Sequence, residues 1–110
     1  MQEPTFLILT VLAGPPLHGY GIMQSIEEVS SGAVKVAPGT LYAALDRLSV
    51  EGLVEIARED TFAAGRVRRF YTLTEPGAAR LGQESERRRK LAIVAARRLA
   101  AFKSPGAATC

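Results

Sequence analysis

The apolar residues along the chain change their spacing in a way that separates its elements. Residues 3–13, EPTFLILTVLA, are almost wholly apolar and stop at Gly14-Pro15-Pro16, which predicts a short helix buried on most sides. Ile22, Met23, Ile26 and Val29 recur at helical spacing within residues 20–29 and predict one amphipathic face, ended by Ser30-Ser31-Gly32. Leu41, Ala44 or Leu45, Leu48 and, past Gly52, Leu53 mark the core face of a third helix that opens at Pro38 and closes near Glu51. Pro38 suits a first turn and Gly52 a left-handed cap.

The period then falls to two. Leu53 to Arg58 alternates imperfectly, while Arg68 to Leu73 alternates well, with Phe70 and Thr72 on one side and Tyr71 and Leu73 on the other. These runs predict a β-hairpin whose loop, residues 59–67, is long enough to protrude and move. Thr74 as N-cap, with Glu75 and Pro76 behind it, opens a last helix that the pattern carries to about Lys103, roughly 40 Å in length. Its ends are apolar, but Gln83 to Lys90 holds no apolar side chain, and within it residues 86–90, ERRRK, read as a solvated stripe, with direct nucleic-acid contact as the lesser alternative.

Helix, helix, helix and hairpin followed by one long helix is the order of a winged helix-turn-helix: mainly α with a small β-hairpin. Residues 1–74 form the expected DNA-binding domain, 75–103 a C-terminal dimerisation helix, and 104–110, rich in small residues, a disordered tail. At 110 residues and 47% hydrophobic content, the chain suits one domain with a modest core. No apolar run approaches the length of a membrane span, and the start lacks the basic region of an export signal, so a cytoplasmic protein without a membrane partner is expected. The only cysteine, Cys110, and the only histidine, His18, leave no disulfide framework and no metal set, and no cofactor is expected. Cys110 has no basic neighbour to activate its thiol, and His18 reads as a turn residue before it reads as a pH sensor.

Net charge is +3, but its distribution matters more than its sum. Residues 1–57 carry two basic and six acidic side chains, a balance of −4, and residues 58–110 carry twelve and five, a balance of +7. A surface supplied by the second half should therefore attract polyanions.

The start of the third helix gives that attraction an address. A helix N-terminus presents unpaired N–H groups and the positive end of the macrodipole, and a Pro-Gly entry lets it come close to phosphate. Gly39, Thr40 and Tyr42 lie there. Thr40 can donate to a phosphate or base edge, and Tyr42 can offer its phenol or its ring to the groove. The bland alternative is that both cap the helix and pack under the hairpin. Arg66 and Arg68 point one way from the wing and Arg69 the other, and Lys35 lies just before the helix, so Lys35, Arg66 and Arg68 are phosphate candidates. In the last helix, Leu91, Ala95, Leu99 and Phe102 form an apolar stripe that a small domain cannot cover, which predicts a two-fold dimer built with the first helix. A winged-helix module for an acidic protein partner is the competing reading. An enzyme is not, because no nucleophile–base pair or phosphate loop is present.

The motifs LHGYGI (Leu17 to Ile22), PGTLYAALDRL with EGLV (Pro38 to Leu48, Glu51 to Val54) and GRVRRFYTLTEPG (Gly65 to Gly77) stand in order and at fitting spacing. Together they resemble the PadR family of bacterial transcriptional regulators, in particular small members with a single C-terminal dimerisation helix. The resemblance implies a homodimeric repressor on palindromic double-stranded operator DNA, often released by a small-molecule effector, with Gly39 to Tyr42 as the groove-facing turn. Ala43 stands where the family often has proline, and Ser49 where it often has glutamate; both changes keep the helix. The chain has no tryptophan to stack a flat ligand as some members do. An effector site would lie in the dimer channel near Leu7, Val11, Val94 and Phe102.

Overall fold

The computed structural model describes residues 1–103; the expected tail, with Cys110, lies outside the described residues. The elements run α1 (Glu3–Leu12), α2 (Gly19–Val29), α3 (Pro38–Val50), β1 (Val54–Phe62), β2 (Arg66–Leu73) and α4 (Glu75–Lys103). No described helix is long and apolar enough to cross a membrane. Ile8, Leu9 and Leu12 of α1, Ile22 and Ile26 of α2, Leu41, Leu45 and Leu48 of α3, and Val54 of β1 are fully buried and form one core. Val29 does not join it. The chain leaves α2 through Ser31 and Gly32, both at positive φ, and Val29 on the last turn is exposed.

Two junctions set the wing against the helices. Leu17 exchanges backbone hydrogen bonds with Tyr71, its N–H donating at 3.1 Å and its carbonyl accepting at 2.8 Å, so the entry to α2 lies beside β2 like a third strand. At the other end, the Thr74 hydroxyl donates to the Gly52 carbonyl at 2.7 Å and accepts from the Gly77 N–H at 3.0 Å. Thr74 is therefore the expected N-cap of α4, and it also ties that helix to the end of α3. Gly77 has no room for a side chain, because a Cβ there would collide with the Leu53 carbonyl.

The hairpin is longer and tighter than its sequence suggests. The strands continue to Phe62 and resume at Arg66, so the expected loop over residues 59–67 contracts to a turn at Ala63–Gly65. Its outer ladder is held by polar partners: Glu59 faces Arg69 and Asp60 faces Arg68, each pair closing at 3.1 Å. Charged residues that read as loop are cross-strand neighbours.

The expected stripe over residues 86–90 is exposed except for Arg88, which is half-buried, and a buried carboxylate lies just before it. Glu84 is only 8% exposed, and Arg87 and Arg88 both donate to it, with contacts of 2.6–2.9 Å. Arg88 reaches further to Glu3 at 2.6 Å and the Met1 carbonyl at 3.0 Å, while its guanidinium lies 4.2 Å from the Phe6 ring centroid. The Arg88 contacts to Glu3 and Phe6 bolt α4 to α1, and Glu84 holds that arginine from within α4. Beyond them, every residue from Arg89 to Lys103 is exposed, including Leu91, Ala95, Leu99 and Phe102.

Candidate nucleic-acid interface

Helix α3 presents a bare positive end. Its first intrahelical bond runs from Leu41 N–H to the Ala37 carbonyl, and no side chain caps it. The Gly39 and Thr40 N–H groups are thus among the unpaired donors of a first turn, and both residues are exposed. Thr40 makes no side-chain hydrogen bond among the described residues, so capping does not account for it. Leu41 turns into the core, and Tyr42 is 48% exposed.

Tyr42 lies across the entry of α2. A Cβ on Gly19 would come within 2.8 Å of Tyr42 Cζ, so the absence of a side chain at Gly19 makes the seat for the phenol. Between this seat and β2 runs a groove of about 680 Å³ whose lining includes His18, Tyr20, Tyr42, Asp46, Arg69 and Tyr71. Burial pushes the Tyr71 phenol above its ordinary pKa, with the Arg69 guanidinium opposing, so Tyr71 is a neutral donor at physiological pH. The His18 ring rests 5.2 Å from that of Phe70.

The wing divides its arginines by use. Arg68 is bound to Asp60 and lies 4.7 Å over the Phe62 ring, Arg69 is bound to Glu59, and Arg58 covers Phe70 at 3.8 Å. Arg66, at the turn, is exposed and has no ion-pair partner among the described residues. Lys35 touches Glu27 at 3.8 Å with its side chain 75% exposed, so the contact leaves it available. Gly39, Thr40 and Arg66 thus stand free on α3 and at the wing turn, Tyr42 is half exposed with the end of its ring seated on Gly19, and Arg68 is engaged within the hairpin. Tyr20, inside the LHGYGI motif, is 62% exposed at the start of α2 and lines the same groove.

A three-helix core, a two-stranded wing and a bare α3 N-terminus define a winged helix-turn-helix protein of the regulator type. The chain belongs to the transcriptional regulator PadR-like family, whose profile matches residues 8–83. It is 36% identical over 85 residues to the transcriptional regulator Rv3488 of Mycobacterium tuberculosis, covering 77% of this chain and 75% of that protein. It is also 32% identical over 84 residues to the transcriptional regulator YqjI of Escherichia coli, and 41% identical over 84 residues to an uncharacterized 37.1 kDa protein of a Streptomyces fradiae transposon. Each match covers 76% of this chain, which spans only 38% and 22% of those two longer proteins.

Among solved structures, a PadR-like transcription factor from Bacteroides fragilis shares 26% identity at a TM-score of 0.71, over 86% of this chain and 87% of that one. Bacillus subtilis PadR, solved in complex with operator DNA, shares the fold at 24% identity and a TM-score of 0.67, over 74% of this chain and 47% of that one.

Proposed function

We propose that the chain is a homodimeric, sequence-specific DNA-binding regulator, acting as a cytoplasmic repressor on a palindromic operator and released by a small-molecule effector. One observation carries the reading: the uncapped start of α3 exposes Gly39, Thr40 and Tyr42 on the same domain as a wing whose turn exposes Arg66. Dipole and N–H groups meet phosphate, Thr40 and Tyr42 meet base edges, and Arg66 with Lys35 holds the flanking backbone. The operator complex of the Bacillus subtilis relative supports the same use of the fold.

Dimerisation follows from α4. Leu91, Ala95, Leu99 and Phe102 lie one turn apart on a helix that its own domain leaves bare. Burying them would contribute on the order of 6 kcal/mol per copy before entropy costs, at about 1.5 kcal/mol each. A second copy brings a second α3, and a separation near 34 Å would set the two on successive major grooves. The effector would bind in the channel between the paired α4 and α1 helices, near Leu7, Val11, Val94 and Phe102.

The test is a gel shift with the DNA upstream of the protein's own coding sequence, repeated across a salt series. Specific retardation whose log affinity falls steeply and linearly with log salt is the expected result. No retardation at low salt would favour the protein-interaction module instead.

A further inference from the structure

Successive residues of α3 are turned by about 100° around its axis. Its buried residues Leu41, Ala44, Leu45 and Leu48 therefore cluster on one side, and Gly39, Ala43, Asp46 and Val50 lie along the opposite line. All four are exposed. Tyr42 leans off this line toward Gly19, and Arg47 leans to the other side, where it donates to the Thr5 hydroxyl at 2.8 Å. Asp46 is consequently the one side chain on the outward line of α3 that can form a hydrogen bond.

A carboxylate is an awkward group to aim at DNA. It repels phosphate and gains nothing from the helix N-terminus two turns away. Among the described residues Asp46 takes part in no ion pair; it shares the groove with the neutral Tyr71 phenol, and the cation there, Arg69, is bound to Glu59. In the major groove, one base edge suits an acceptor-only group particularly well, the exocyclic N4 amine of cytosine. Gly39 and Ala43, with little or no side chain, let the helix sink far enough for a residue two turns in to reach the bases.

We infer that Asp46 is a specificity-determining residue that accepts a hydrogen bond from the N4 amine of a cytosine in each half-site. The inference rests on the DNA-binding reading above. The carboxylate then acts by selection rather than by affinity: it lowers binding to every duplex and restores it where a cytosine amine stands opposite.

The experiment is selection of binding sites from a random duplex pool with the full chain, its Asp46→Asn and its Asp46→Ala variants, followed by titration of single-base variants of the selected site. The wild type should enrich one cytosine per half-site and discriminate against its replacement by roughly tenfold or more. Asp46→Asn should move that preference to adenine, whose N6 and N7 match an amide. Asp46→Ala should erase the preference at that position alone, keep the rest of the motif and tighten binding to random DNA. Identical motifs from all three proteins, with uniformly tighter binding by both variants, would make Asp46 a repulsive group only and overturn the inference. A wild type that enriches no motif would overturn the DNA-binding reading itself. Circular dichroism and denaturation of the variants check the fold, in which this exposed side chain takes no part.

Discussion

At the scale of single residues, two glycines do different work. Gly77 sits where a Cβ would strike the Leu53 carbonyl and come 2.8 Å from Leu73 Cδ1, and a backbone oxygen in a tight junction cannot step aside. Gly77→Ala should therefore lower stability by about 1–3 kcal/mol, read as a shifted urea midpoint. At Gly19 the colliding group is the free end of the Tyr42 ring. Gly19→Ala should cost less stability but displace the phenol, so its main effect should be weaker specific DNA binding in a gel shift. Tyr42→Ala and Arg66→Ala separate two roles. The first should cost discrimination between specific and random duplex, and the second should weaken binding to both and reduce the salt slope by about one unit. Equal losses on both duplexes for Tyr42→Ala would remove it from base reading.

Much of this was legible locally. Pro38, Gly52 and Thr74 act through their own backbone, and each stands where the pattern put it. The seat of Tyr42 on Gly19 was not legible, because it joins residues far apart in sequence whose closeness exists only after α2 and α3 cross.

At the scale of elements, charge pairing explains where pattern reading stopped short. Glu59 and Asp60 interrupt the alternation of β1 and look like the start of a loop, yet each finds an arginine directly across the ladder. Periodicity records which face is apolar; it does not record which opposite charges will be neighbours. The same limit hid Glu84, which lies in a run of polar residues and is buried by two arginines.

The α4–α1 bolt makes a pH prediction. Hydrogen bonds from Arg87 first, then Arg88, outweigh desolvation and hold the Glu84 carboxyl at about 2, against an ordinary 4.5. A depressed acid stabilises the fold fully above its ordinary pKa, and that stabilisation fades as pH falls from the ordinary value through the depressed one. Glu84→Gln should therefore be less stable than the wild type at pH 6, with the gap closing progressively below pH 4.5. Denaturation midpoints of both proteins across that range provide the check, and a gap independent of pH would mean that Glu84 acts through packing alone.

At the scale of the whole molecule, the shape itself asks for a partner. A compact domain of this length would have a radius of gyration of about 13 Å, whereas the chain has 18.3 Å and a long axis of 70 Å. The excess comes from α4, whose 29 residues extend about 43 Å and are all exposed from Arg89 onward. An isolated amphipathic rod of this kind is stable only when its apolar stripe is covered. The exposed stripe on α4 is legible in the sequence alone, because the helical spacing of apolar residues does not depend on what covers them. The double variant Leu99→Lys with Phe102→Lys should sediment as a monomer while keeping the folded winged domain, and its affinity for a palindromic site should fall to that of a single half-site.

The central claim is that paired copies hold two α3 helices outward at the pitch of DNA. Hydroxyl-radical footprinting of the purified protein on its selected duplex tests it most directly. Two symmetric protected patches, with centres about 10 base pairs apart and flanking protection from the wings, are the predicted result. A single unsymmetric patch, or no protection at low salt where phosphate contacts are strongest, would contradict it.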